Sequence, residues 1–243
     1  MLELIKKNRL LSINATIGFF AAESIGDDIR IFESDKRDNT LGTACFLRQQ
    51  MLKAPNEPYL CLSDLVAPKE SKTKDYFGLF TVTAGIGVDE ASERFVKDND
   101  DYSAILLKAL ATRLAEAMSE ALHERVRREL WGYAKEERLT PDDLLNERYR
   151  GIRPAPGYPA CPDHTEKELI FRLLGAQKNA GVRLTENYAM DPLASTCGYY
   201  FAHPAAKYFA VGKIGKDQVE NYAKRKKMSV KNIERWLAPN LNY

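Results

Sequence analysis

The hydrophobic pattern divides the chain near residue 100. Before it, apolar residues come in short runs that read as strands. Ile29, Ile31 and Phe32 alternate weakly, 59–67 (YLCLSDLVA) has strand character, and 76–83 (YFGLFTVT) is the clearest strand. Between the last two, PKESKTKD predicts a charged turn. After it the period becomes helical. Leu106, Leu110, Leu114, Ala117, Ala121, Leu122 and Val126 recur at i, i+3, i+4 spacing and predict a helix over about 102–130, with Asp100 and Asp101 as candidate caps.

Start and stop signals place the rest. Thr140-Pro141-Asp142-Asp143 combines an N-cap, a proline at the first helical position and two acids in the first turn. Thr165 and Glu168 have capping-box spacing ahead of a helix that Gly181 ends. Two aromatic strands are expected at 199–202 and 208–214. Helices follow at 216–227 and, behind Ser229, at 230–237. Strands come in runs without regularly alternating helices, so the pattern predicts α+β with a largely antiparallel sheet. No repeat or Gly/Ser/Pro-rich linker divides it, and one domain over 1–243 is expected.

Composition narrows the function classes. The 243 residues are 44% hydrophobic and 29% charged, which excludes a disordered chain. With 36 basic against 34 acidic residues the net charge is +2, so nothing draws the chain as a whole to nucleic acid or anionic lipid. The run Lys224-Arg225-Lys226-Lys227 reads as the cationic last turn of a helix. No apolar run approaches the ~20 residues of a membrane span, and the start lacks a signal-peptide core, which predicts a cytoplasmic protein. Cys45, Cys61, Cys161 and Cys197 are scattered and expected to be core thiols. With His123, His164 and His203 they make no metal-ligand spacing, so no metal site is expected.

Chemistry concentrates in 153–167, RPAPGYPACPDHTEK. Four prolines within nine residues exclude helix and stiffen the backbone. Gly157 permits a close backbone approach, Arg153 offers a planar fork to an anion, and Tyr158 adds an aromatic face. A rigid backbone with one anion receptor and one aromatic suits a preformed small-molecule site. The alternative is a proline-rich connector whose Arg153 pairs with a surface acid. His164, at a helix start, and His203, in a turn before Pro204, read as structural.

The segment GIRPAPGYPACPDHTEK (151–167) resembles the S-adenosylmethionine-binding reactivation domain of cobalamin-dependent methionine synthase. The resemblance continues, in the family's order, through IGFFAAESIGDDI, FLRQQ, DYFGLFTVTAG, RLAEAMSEALHERVRRELWGYA, FAHPAAKYFAVGKI and the C-terminal DQVENYAKRK and IERWLAPNL. It implies a single C-shaped α+β domain: a twisted antiparallel sheet with flanking helices, one of them long and central. It also implies a shallow S-adenosylmethionine site lined by Glu116, Arg153, Ala155, Gly157, Tyr158, Tyr208 and Phe209. In that reading Arg153 receives the methionine carboxylate, Glu116 faces the amino group, and Tyr158 and Tyr208 cover the adenine or the sulfonium.

The family activity implied is reductive reactivation in methionine biosynthesis, a methyltransferase function. Flavodoxin or a related flavoprotein supplies an electron, and S-adenosylmethionine gives its methyl group to cob(I)alamin. Cobalamin would be supplied by a partner domain or chain, because no Asp-x-His-x-x-Gly ligand motif is present. Transfer from a sulfonium moves no proton, so no catalytic acid, base or nucleophile is expected here, and the chain alone should be inactive. Two departures from the family stand out. The N-terminal portion is shorter than usual, so an acidic ligand contact is expected to be missing, and Phe209 stands where tyrosine is common.

Two other readings remain. A docking module that has lost its ligand would fit the short N-terminus. A freestanding doubly wound methyltransferase would need a glycine-rich strand-to-helix turn, and Thr83-Ala84-Gly85-Ile86-Gly87 lacks the third glycine and a predicted helix.

Overall fold

The computed structural model describes residues 1–243. After a short helix α1 (Leu2–Asn8), strands β1 (Ser12–Ile25), β2 (Asp28–Phe32), β3 (Thr40–Cys45) and β4 (Asp75–Ile86) follow. Helices α2 (Val88–Lys97) and α3 (Asp101–Arg125) come next, then α4 (Pro141–Leu145), α5 (Lys167–Leu174) and α6 (Ala176–Ala180). A two-residue hairpin, β5 (Arg183–Leu184) and β6 (Met190–Asp191), leads into β7 (Ser195–Tyr200), and α7 (Lys216–Lys226) and α8 (Val230–Leu237) close the chain. The main sheet has the order β3-β2-β1-β4-β7, and every neighbouring pair is antiparallel. The α+β expectation holds.

Strand β4 reads as an unbroken apolar run because both of its faces are covered. Phe77 and Leu79 join Cys197, Tyr199 and Phe201 of β7 and its continuation, with Leu169, Ile170 and Leu174 of α5, in one core. Phe80 and Val82 point the other way and meet Tyr200 and the Leu122–Val126 end of α3. Side chains alternate across a strand, so odd and even positions serve two separate cores.

Helix α3 is capped by Asp100, whose side chain accepts from the Ser103 N–H at 3.0 Å, and it unwinds through a single π turn at Val126–Leu130. Of the expected row only Leu122 and Val126 are buried. Ala104, Leu107, Ala111, Ala115 and Ser119 face inwards, while Leu106, Leu110 and Leu114 are half-buried and Ala117 and Ala121 are exposed. Small side chains let the helix lie close to the sheet, so close approach, not side-chain bulk, sets its rotation.

Other expectations also need correction. Residues 59–67 form a 3-10 turn at Leu62–Leu65, because Asp64 accepts from the Cys61 N–H and binds Arg48. Residues 208–214 form no strand. Their backbone partners are loop atoms, as when the Val211 N–H donates to Pro159 O at 2.8 Å. The helix after 165 is capped by Asp163, not Thr165, and breaks at left-handed Gly175 before α6 reaches Gly181. Gly85 lies within β4, and Gly87 after it does lead into a helix by capping α2, yet β4 runs antiparallel to both neighbours, so no doubly wound nucleotide turn results. The helices behind Thr140 and Ser229 start where these caps place them, and α7 starts at Lys216 as expected without a side-chain cap.

All four cysteines are buried free thiols. Burial pushes Cys61 up to about 11 and Cys197 up to about 12, which makes both inert at neutral pH. The basic run at the end of α7 is structural. Arg225 pairs with Asp28 and Lys226 with Asp163 and Glu166. No helix is long and apolar enough to cross a membrane.

Candidate functional site

The proline loop is fastened to the free edge of β7. Ile152 and Phe201 exchange backbone hydrogen bonds at 3.1 and 3.0 Å, and the Tyr199 N–H donates to Pro154 O at 2.9 Å. Gly198 makes this possible, because a Cβ there would stand 2.6 Å from Pro154 O. The loop then turns through Gly157, whose N–H donates to Cys161 O at 2.7 Å. Its outer limb is held at Pro159 O by 208–214.

Gly157 has φ +97°, and a Cβ there would meet the His164 ring at 2.2 Å. Gly157→Ala should therefore cost about 1–3 kcal/mol through backbone strain and displacement of His164, measurable as a lower Tm. A second change, His164→Ala, should relieve the clash but not the strain and restore only part of the loss. Full restoration would locate the whole effect in the clash.

Between this loop, α3 and the 208–210 segment lies a cavity of about 510 Å³. Phe80 and Thr196 come from the sheet, Glu116 and Ser119 from α3, Arg153, Ala155 and Tyr158 from the loop, and Tyr208 and Phe209 from the far wall. Six of the seven residues singled out in the sequence thus line one space. The seventh, Gly157, shapes the turn and is not on the cavity wall. Tyr158 is 65% exposed and forms an open rim. A side chamber of about 180 Å³ continues past Glu116 and Tyr158 to His164, Lys167 and Cys197. A larger depression of about 770 Å³ beside α5 and α6 is lined mainly by polar and charged residues, and its Lys226 is held by Asp163 and Glu166.

Arg153 organises the polar end. Its Nη2 donates to Glu120 Oε2 at 2.6 Å, and its Nη1 lies 3.2 Å from both His123 Nδ1 and the Tyr149 hydroxyl. Its backbone N–H donates to the Tyr208 hydroxyl at 3.0 Å, which ties the loop to the far wall. Burial opposes the charge on Arg153, but Tyr208, Tyr149 and Glu120 outweigh it and raise its pKa. Burial, with Arg127 and Arg153 nearby, keeps His123 neutral by holding it well below the ordinary histidine range. A neutral His123 that accepts at Nδ1 carries its proton on Nε2, 3.3 Å from the Tyr133 hydroxyl. Glu116 is exposed and paired with Arg113 at 2.7 Å.

The sequence reading missed Ser119, Glu120, His123, Tyr149 and Thr196. For three of them a signal existed, since Ser119, Glu120 and His123 follow Glu116 at +3, +4 and +7 and share its helix face. His164 accepts from the Lys167 ammonium at 2.9 Å, and His203 Nδ1 accepts from the Ala205 N–H at 3.1 Å, so both sit in local turns as expected.

Residues 1–227 match the family described as vitamin B12 dependent methionine synthase, activation domain. The chain belongs to that family. A crystal structure described as the MetH reactivation domain bound to AdoHcy is similar to it, with 50% sequence identity and a TM-score of 0.97. The match covers 100% of this chain and 74% of that one. The activation-domain fold accounts for the antiparallel order and the long α3, and the chain is part of a methyltransferase system.

Proposed function

We propose that this activation domain binds S-adenosylmethionine in the Arg153 cavity and presents its methyl group to cob(I)alamin carried by a partner domain. The observation that carries the reading is a rigid, half-open cavity whose anion receptor and aromatic rim come from residues that also carry the family resemblance. The structural relative is a reactivation domain with AdoHcy bound, the product left when S-adenosylmethionine loses its methyl group.

The donor set fits. A guanidinium has five N–H groups. Three serve Glu120, His123 and Tyr149, which leaves Nε–H and one Nη2–H for the ligand's carboxylate. Glu116 lies on the same wall as a partner for the α-amino group, and Arg113 can release it because that pair is exposed. Tyr158 and Tyr208 offer ring faces to adenine or sulfonium. The volume of about 510 Å³ lies in the range of drug-sized pockets.

S-adenosylmethionine supplies a methyl group on a positively charged sulfur. In the transfer the sulfur–carbon electron pair would stay with sulfur, and the acceptor held by the partner would supply the pair for the new bond to carbon. The domain therefore needs no proton shuttle, only alignment. Because the sulfonium charge disappears, a carboxylate beside the sulfur would favour reactant over transition state, which places Glu116 at the amino end. The open rim at Tyr158 leaves room for the acceptor to approach. A flavodoxin-type donor reducing the partner's cobalamin completes the cycle, and a cytoplasmic setting fits that chemistry.

The test is transfer of labelled methyl from S-adenosylmethionine, followed with and without a cobalamin-bearing domain and reduced flavodoxin. Labelling should require both, since positioning one reactant alone gives no proximity advantage. Efficient labelling of a small acceptor by this chain alone would overturn the proposal.

A further inference from the structure

Arg153 does not reach the cavity as a free surface arginine. Its guanidinium is held from behind by Glu120 Oε2 at 2.6 Å, while His123 and Tyr149 hold Nη1 at 3.2 Å. These holders are themselves fixed. His123 is fully buried, stacks on Tyr200 at 5.3 Å and meets Tyr149 edge-on at 5.2 Å. Tyr149 in turn lies under the guanidinium of buried Arg127, 4.5 Å from its ring. Glu120 is the only one of the three that brings a charge, and its own Oε1 is buried without a hydrogen-bond partner. A carboxylate kept so near the interior with one oxygen unsatisfied is costly for stability alone.

We propose that Glu120 is the positioning residue for Arg153: it fixes Nη2 so that Nε–H and the remaining Nη2–H stay aimed at the cavity for the ligand's carboxylate. This rests on the reading of Arg153 as carboxylate receptor. A side chain as flexible as arginine loses rotamer freedom when it binds, and a holder that removes that freedom beforehand raises affinity without touching the ligand. Glu120 acts as a hydrogen-bond acceptor, and a glutamine at the same place can accept in the same way.

Two measurements test it, one without ligand. In the free protein, NMR of the Arg153 side-chain N–H groups should show restricted guanidinium rotation in wild type and in Glu120→Gln, and faster rotation in Glu120→Ala, where only the two 3.2 Å contacts of Nη1 remain. In calorimetric titrations, Glu120→Ala should weaken S-adenosylhomocysteine about tenfold, and Glu120→Gln should recover most of that loss. Methylthioadenosine, which lacks the carboxylate, should bind all three alike, and Glu120→Ala should add nothing in an Arg153→Ala background. Equal weakening of both ligands, or a freely rotating Arg153 in wild type, would overturn the role of Glu120. Unchanged binding of S-adenosylhomocysteine to Arg153→Ala would instead remove the site reading, and with it any ligand for Glu120 to serve.

Discussion

Replacing Lys226 by methionine should destabilise the domain by about 3–5 kcal/mol, the usual cost of breaking a buried ion pair from one side. Lys226 Nζ donates to Asp163 Oδ2 at 2.8 Å and Glu166 Oε1 at 2.6 Å, and it also reaches the Thr165 hydroxyl. The two carboxylates are 1% and 4% exposed at the side chain, so in the native domain the ammonium and not water balances their charge. Both already serve the fold. Asp163 caps the turn that starts α5 and accepts from the Tyr222 hydroxyl, and Glu166 accepts from the Cys45 N–H at the end of β3. One lysine therefore joins α7, α5 and the sheet. Methionine keeps the apolar stem as far as Cε and removes the ammonium, which separates the charge from the packing of the stem.

The pH dependence identifies the mechanism. In the native domain burial opposes the Asp163 charge, but Lys226 and the Thr165 hydrogen bonds outweigh it and lower its pKa. Asp163 therefore contributes stability above the unfolded carboxylate range, and that contribution is lost as pH falls through its folded pKa. Glu166 is raised by burial despite Lys226, so its ionisation works against stability as pH rises. Without the lysine, both carboxylates should bind protons more readily folded than unfolded, and stability should then fall with rising pH. Urea unfolding should accordingly show a larger deficit for Lys226→Met at pH 8 than at pH 5.5. A deficit independent of pH would mean that Lys226 acts through its stem and not its charge.

The elements legible in the sequence were those with their own punctuation. Asp100, Thr140 and Ser229 each accept from a backbone N–H of the helix they were expected to start. Strand β4 was legible because both faces are buried. Strand β1, the longest, was not. Its start, Ser12 to Thr16, is mostly exposed and mixes polar with apolar residues. What makes it a strand is pairing with β4 from Ser12↔Ile86 to Ala22↔Asp75, a tertiary cause that a local pattern does not carry. The opposite error arose at 208–214, where an aromatic run suggested a strand. Gly212 there takes φ +74°, and the carbonyls of Ala210 and Gly212 accept from the side chains of Gln49 and Asn240.

The site was legible from one side only. The proline loop announces itself through composition, and Arg153 stands at its head. The loop's own sequence says nothing of what lies behind Arg153, because Glu120 and His123 arrive from a helix 30 or more residues away. The helix stripe misled for the same reason. Bulk pointed to Leu106, Leu110 and Leu114, whereas the face that meets sheet and cavity is the small-residue row Ala111, Ala115 and Ser119.

Arg153→Ala should weaken S-adenosylmethionine and S-adenosylhomocysteine about 10- to 150-fold, the loss of one charge-assisted bond of about 1.5–3 kcal/mol. The fold should survive the change. The backbone N–H that binds Tyr208 is retained, Ile152 and Pro154 still clasp β7, and neutral His123 needs no counter-charge. Glu120 loses its cation and its Oε1 is already buried without a partner, but the side chain as a whole is 28% exposed and the space left by the guanidinium opens Oε2 to the cavity. A calorimetric titration gives the loss, and the unfolding midpoint measured beside it shows whether the domain is intact. Lysine at 153 should restore only part of the affinity, since one ammonium lacks the donors to serve Glu120, Tyr149, His123 and a carboxylate in the same geometry. If methyl transfer to the partner's cobalamin survives Arg153→Ala at saturating ligand, the guanidinium serves binding and the methyl group is aligned by the loop and the tyrosines. If transfer falls even at saturation, the carboxylate anchor also sets the angle at which the sulfonium faces cobalt. An unchanged dissociation constant would take Arg153 out of the site, leaving the 510 Å³ cavity with Glu116 as its only charged wall residue.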